Sequence, residues 1–144
     1  MAVREAGPDD LPEIRAMIGE LAEYEDLAHE VVGTEEGLAR ALFGPDPVAR
    51  VSLAVADDGS VAGQALWYRT FSTFLCAEGI WLEDLYVRPA HRRQGHARAL
   101  LNHLKGLSPG RVEWEVLDWN EPAIDFYRSL GAQARGGWTA FRWV

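Results

Sequence analysis

Trp81-Leu82-Glu83-Asp84-Leu85-Tyr86-Val87-Arg88-Pro89-Ala90-His91-Arg92-Arg93-Gln94-Gly95-His96-Ala97-Arg98-Ala99-Leu100-Leu101-Asn102-His103-Leu104 reads as a strand, a basic glycine-bearing turn and a helix. Trp81 to Val87 is rich in aromatic and β-branched residues and stops at Arg88-Pro89. Ala97, Leu100, Leu101 and Leu104 recur at i, i+3, i+4 and i+7, one apolar helix face, and Gly106 stands where a helix cap is expected. Between strand and helix lies Arg92-Arg93-Gln94-Gly95-His96-Ala97-Arg98. A helix N-terminus offers free main-chain N–H groups and the positive end of its dipole, which suits a phosphate. Gly95 allows close backbone approach, Ala97 keeps the first turn small, and the arginines add charge. The segment therefore reads as a pyrophosphate cradle.

The rest of the chain arranges itself around this unit. Ala2–Ala6 reads as a strand, followed by a helix with Leu11, Ile14, Ile18, Leu21 and Ala22 as its buried stripe. Thr34 is placed to cap a second helix. Val48–Ala56 and Val61–Phe71 read as a hairpin about Asp57-Asp58-Gly59-Ser60. After the central helix come a strand at Arg111–Asp118 and a helix capped by Asn120, with Pro122 in its first turn and Gly131 past its end. Ala132–Arg135 and Thr139–Val144 read as closing strands around Gly136-Gly137. Strands and helices in this order imply a central sheet covered by helices in one domain, 1–144.

Composition narrows the function. Of 144 residues, 48% are hydrophobic and 25% charged, ordinary usage for a soluble globular domain. No apolar run reaches the ~18–20 residues needed to cross a bilayer, and Met1–Ala22 reads as strand and amphipathic helix rather than a signal peptide. The net charge of −8 opposes a general affinity for nucleic acid and is compatible with a cationic small molecule. One cysteine, Cys76, permits no internal disulfide. His91, His96 and His103 have no metal-ligand spacing with a carboxylate, so no metal is expected. Together these point to the cytoplasm.

Arg92, Gly95 and Ala97, lying between that strand and that helix, match the pattern Arg/Gln-x-x-Gly-x-Gly/Ala. This resembles the acetyl-CoA site of the GNAT superfamily of N-acetyltransferases. The resemblance implies a mixed α+β fold: a central, mostly antiparallel sheet of six or seven strands flanked by about four helices. Leu21-Ala22-Glu23-Tyr24-Glu25, Leu82-Glu83-Asp84 and Trp119-Asn120-Glu121-Pro122-Ala123-Ile124-Asp125-Phe126-Tyr127 further resemble the spermidine/spermine acetyltransferase branch. It implies that main-chain groups of Leu85, Tyr86 and Val87 bind the pantetheine arm, helped by Asn120. It also implies that Arg92, Arg93, Gln94, Gly95, His96, Ala97 and Arg98 hold the diphosphate.

The chemistry this resemblance implies is acyl transfer from a thioester to an amine by direct attack in a ternary complex. An alkylammonium of pKa ~10.4 is neutral in roughly one molecule per few thousand at pH 7, so a base is required. Glu83 is the candidate, and strand alternation groups it with Trp81, Leu85 and Val87, with Asp84 on the opposite face. The resemblance assigns Tyr127 as the acid that protonates the departing thiolate and places Tyr24 and Glu25 along the amine channel. Trp138 is a further candidate for the pocket wall. In that branch an acidic residue precedes the Gly-Trp pair near the C-terminus; Arg135-Gly136-Gly137-Trp138 has none. The acceptor is therefore expected among small polyamines, diamines and lysine-like amines, with a peptide amine as the alternative. A coenzyme-binding module without turnover is the other alternative; the presence of both Glu83 and Tyr127 speaks against it. The resemblance also implies a homodimer.

Overall fold

The computed structural model describes residues 1–144. Its elements run β1 (Ala2–Glu5), α1 (Leu11–Tyr24), α2 (Glu35–Phe43), β2 (Arg50–Val55), β3 (Val61–Ser72), β4 (Ala77–Val87), α3 (His96–Leu107), β5 (Val112–Trp114) and α4 (Glu121–Ser129). The five strands lie in the order β1-β2-β3-β4-β5. The first three pairings are antiparallel and β4–β5 is parallel. A parallel neighbour needs a crossover, and α3 supplies it.

The sheet separates two cores. On one face Leu100, Leu101 and Leu104 of α3 pack on Ala65, Trp67, Ile80 and Leu82, with Phe126, Tyr127 and Leu130 beside them. On the other, Ile14 and Met17 of α1 and Leu42 of α2 pack on Leu53, Leu66 and Tyr86. The α3 stripe is the one its sequence spacing predicts. In α1 the periodicity holds, with Met17 taking a fully buried place. Local chemistry sets the helix starts: the Thr34 hydroxyl accepts from the Gly37 N–H at 3.0 Å, and the Asn120 amide oxygen accepts from Ala123 N–H at 3.4 Å. Arg88, just past β4, reaches Glu13 and Glu20 and ties the strand's end to α1.

Three expectations need correction. The sheet has five strands, not six or seven, because Ala132–Arg135 and Thr139–Val144 form no strand. From Gln133 onward no main-chain group makes a backbone hydrogen bond; strand propensity alone, without a partner edge, builds no ladder. The fifth strand is also shorter than Arg111–Asp118. Gly106 lies inside α3, whose cap is Ser108.

Candidate active site

The loop between β4 and α3 combines free main-chain N–H groups with arginines, the features that suit an anion. Gly95 closes it at φ +85°, a left-handed conformation that glycine adopts without steric cost. Arg93 is also left-handed, at φ +60°, which a non-glycine residue adopts only against strain. The main-chain N–H groups of Arg93 through Arg98 make no backbone hydrogen bond. They front a cavity of about 250 Å³ lined by Val87, His91, Arg92, Arg93, Gly95, His96, Ala97, Arg98 and Phe126. Gln94 lies exposed on the same loop, outside that lining. The His96 imidazole is turned inward and 2% exposed. Burial first, then neighbouring His91, lowers its pKa, so it is neutral and offers the loop only its main-chain N–H. Phe126, absent from the sequence reading of the site, supplies the cavity's apolar wall.

Next to this loop the sheet opens. β5 pairs with β4 only through Ile80, Trp81 and Leu82, whereas β4 continues to Val87 paired with β3 alone. The edge from Glu83 to Val87, which includes Leu85 and Tyr86, therefore faces a gap rather than a strand. At the mouth of that gap β4 carries a bulge: Leu66 faces Asp84 and Trp67 faces Leu82, leaving Glu83 as the extra residue.

The bulge reverses the expected side-chain alternation. Ile80 and Leu82 face α3, and so does Leu85; Asp84 pairs with Leu66, and Leu66 and Tyr86 lie on the α1 face. Asp84 thus joins Trp81 and Glu83 on the α1 side, and Leu85 leaves them, contrary to simple period-two counting. Glu83 is exposed, and its Oε1 accepts a hydrogen bond from Trp81 Nε1 at 3.1 Å. Asp84 is half-buried and has no hydrogen-bond or salt-bridge partner to offset its charge. Burial first, then the charges of Glu83 and Glu25, raise its pKa to about 6. A carboxyl titrating near neutrality fits a general base, and sequence reasoning passed over it in favour of Glu83.

Three elements converge on the same gap. Tyr127 projects from α4 against Trp114, ring centroids 5.1 Å apart. Its hydroxyl pKa is raised by burial first and then by Glu25, so it stays protonated at neutral pH. Glu25, at the end of α1, has its own pKa raised by burial. The Glu25 charge raises the pKa of both Asp84 and Tyr127. Tyr24 donates its hydroxyl to Asn120 Oδ1 at 3.3 Å, tilts against Trp119 at 5.9 Å and lies under the Arg92 guanidinium at 5.7 Å. The structure thereby joins Tyr24 to Asn120 and Arg92, the expected coenzyme side. Trp138 stands apart. It is 78% exposed and borders a different groove, at the β3–β4 hairpin, that contains none of the other candidate site residues. No group of three His, Cys, Asp or Glu side chains is placed to hold a metal ion, and no helix is long and apolar enough to cross a membrane.

Comparison with known proteins fits this geometry. The acetyltransferase (GNAT) family profile matches residues 16–132. The chain belongs to the GNAT family of acetyltransferases. It is 38% identical to a thialysine N-epsilon-acetyltransferase of Mus musculus over 97% of this chain and 90% of that protein. It is 31% identical to an L-ornithine N5-acetyltransferase of Arabidopsis thaliana, over 97% of this chain and 82% of that one. A spermidine/spermine N(1)-acetyltransferase-like protein of Homo sapiens is 29% identical over 97% of this chain but only 22% of its own length. These relatives place the chain in the spermidine/spermine branch. A crystal structure of a probable acetyltransferase superposes with a TM-score of 0.80 at 22% identity, covering 100% of this chain and 97% of that one, a likeness of fold. The chain is thus a GNAT N-acetyltransferase, and acetyl-CoA is the co-substrate of its family. The residues present fit that co-substrate: six unpartnered amides and two left-handed residues form a cradle for a diphosphate.

Proposed function

We propose that this acetyltransferase moves the acetyl group of acetyl-CoA onto a small, cationic primary amine: a lysine-like amine, a diamine or a small polyamine. The observation that carries this is the acidic gap in the sheet. Glu25, Glu83 and Asp84 gather where the Tyr127 hydroxyl also lies, with no cation of the protein paired to Asp84. Their combined negative field favours an ammonium and disfavours an anionic acceptor. The thialysine and ornithine in the relatives' names are short amines of this kind.

Acetyl-CoA supplies the activated thioester. The chain's residues do the rest. The amides of Arg93–Arg98, with Arg92, Arg93 and Arg98, bind the diphosphate, and the main-chain edge Leu85–Val87 with Asn120 orients the arm. An amide of the bulged strand is available to stabilise negative charge developing on the thioester oxygen. Glu25 and Tyr24 seat the amine. Asp84 accepts the ammonium proton, directly or through water, while Glu83 anchors Trp81 and adds to the field. Of the two adjacent carboxyls, Asp84 suits the base because burial brings its pKa to about 6, which leaves it ionised at pH 7 yet more basic than an ordinary aspartate. Tyr127, held protonated, returns a proton to the departing thiolate, whose conjugate acid titrates near ~8.5. The same reading includes a homodimer and a cytoplasmic setting.

The test is release of CoA thiol with a panel of thialysine, lysine, ornithine, putrescine, spermidine and an amine-bearing peptide. Turnover is expected with the small amines. Turnover with the peptide alone would move the acceptor to proteins, and binding of acetyl-CoA without turnover on any amine would reduce the chain to a coenzyme-binding module.

A further inference from the structure

Tyr24 closes α1 with its side chain turned to Asn120 and Arg92. Asp26, left-handed at φ +58°, stops the helix. The Leu27 N–H returns to the Ala22 carbonyl at 2.8 Å, a closed cap that fixes the direction of the last turn. From that turn the Tyr24 hydroxyl donates to Asn120 Oδ1 at 3.3 Å, across 96 residues of sequence. Tyr24 is 44% exposed, so core packing does not account for its place.

Asn120 is 8% exposed, and the two ends of its amide differ. A main-chain N–H can only donate, so the bond from Ala123 N–H at 3.4 Å identifies Oδ1 as the capping end. Oδ1 therefore accepts twice, from Ala123 and from Tyr24, while Nδ2 makes no hydrogen bond within the chain. Both bonds are long for their types. An acceptor that takes the free Nδ2 polarises the amide and strengthens what its oxygen accepts. Arg92 is held in a comparable way. Its one side-chain hydrogen bond runs from Nε to the Val87 carbonyl at 3.1 Å, and its guanidinium lies 5.7 Å from the centre of the Tyr24 ring. The Nη groups are left for the loop cavity that Arg92 lines.

We infer that Tyr24 is a positioning residue for the coenzyme: its hydroxyl sets the Asn120 amide so that Nδ2 is free for the coenzyme arm, and its ring carries the Arg92 guanidinium at the diphosphate loop. The inference rests on the proposed coenzyme roles of Asn120 and Arg92, and it gives Tyr24 a task on the second substrate beyond the amine seat. The chemistry matches on both counts. An amide NH₂ donates to a carbonyl of the pantetheine arm, and a guanidinium donates to phosphate oxygens. The next residue, Glu25, acts on the acidic gap instead, so one helix end serves both substrates.

The test measures CoA affinity by calorimetry, without amine, for wild type, Tyr24→Phe, Asn120→Ser and the double variant. Phenylalanine keeps the ring against Arg92 and Trp119 and removes only the hydroxyl. Serine keeps a capping oxygen for α4 but carries no amide. Tyr24→Phe is expected to raise the dissociation constant for CoA about 3–10-fold, the worth of one hydrogen bond. KM for acetyl-CoA should rise with it, while KM for the amine at saturating acetyl-CoA stays that of wild type. Because Tyr24 acts through Asn120, the same change made in the Asn120→Ser background is expected to cost nothing further. Tyr24→Leu, which also loses the aromatic platform, should weaken CoA more than Tyr24→Phe does. Circular dichroism melts confirm that each variant folds; a merely structural role would lower the melting temperature without this split in KM. Wild-type CoA affinity in Tyr24→Phe overturns the inference. So does a loss confined to the KM of the amine, or one that adds in full to that of Asn120→Ser. Release of CoA thiol with an amine in any of these cases leaves the proposed activity standing.

Discussion

Replacing Asp84 with asparagine is expected to make the protein more stable and the enzyme worse. Asp84 titrates near 6 in the folded protein against 3.8 for an ordinary aspartate, chiefly because the fold buries it and then because Glu83 and Glu25 repel its charge. A folded-state pKa above the unfolded one means that the folded state holds the proton longer. Between pH 4 and 6 it binds more protons than the unfolded chain, so stability falls as pH rises through that window. At ~1.4 kcal/mol per pH unit of separation, the ionised carboxyl costs the apoprotein about 3 kcal/mol above pH 7. Asparagine keeps the shape and removes the charge. The variant should therefore gain about 1–3 kcal/mol at pH 8, some 2–4 °C in Tm per kcal/mol for a chain of this size, and nothing at pH 4. Turnover should fall by about 100-fold or more, as expected when a general base is lost. Thermal melts at the two pH values and a CoA-release assay on the same preparation read both quantities. Equal or lower stability at pH 8, or unchanged turnover, would refute the assignment of Asp84 as a strained, functional carboxylate.

Three further outcomes follow from the same geometry. Glu25→Gln removes a negative charge that raises Asp84, so the acid limb of the pH profile of kcat/KM should move to lower pH; a limb that stays or moves up contradicts the shared field. Tyr127→Phe should lower kcat by about 100-fold or more while calorimetry shows acetyl-CoA bound as in wild type, since the ring's packing on Trp114 survives. Gly95→Ala meets no steric barrier, the nearest atom to its new methyl being Met1 Cε at 3.7 Å. Its left-handed φ alone should then cost about 1–2 kcal/mol and raise the dissociation constant for CoA; unchanged affinity would mean that the loop does not hold the diphosphate.

How far the site was readable depended on whether its cause was local. The α3 stripe, the Thr34 and Asn120 caps and the Gly95 turn follow from spacing and short-range hydrogen bonding, and all three were legible. The bulge at Glu83 was not, because an extra residue in one strand is defined only against the strand it pairs with. A faint signal existed: the apolar positions facing α3 change from even numbers, Ile80 and Leu82, to odd, Leu85. Tyr86, buried on the other face, masks that change of phase. Missing the bulge put Asp84 on the wrong side of the sheet, opposite Glu83. The closing strands failed for a related reason. Thr139–Val144 has the residues of a strand, but residues alone do not name the edge a strand pairs with. Trp138 inherited that error: it belongs to the tail and the hairpin groove, and the structure does not bring it to Tyr127 or Asp84.

The central claim is that the unpartnered amides before α3 and the opened edge of β4 together hold acetyl-CoA, with its thioester at the bulge. A crystal structure with CoA tests this most directly. Diphosphate density on the main chain of Arg93–Arg98, with the coenzyme sulfur reaching the Tyr127 hydroxyl through the gap between β4 and β5, is the predicted result. Coenzyme density elsewhere, or none in a crystal grown at saturating CoA, would contradict it.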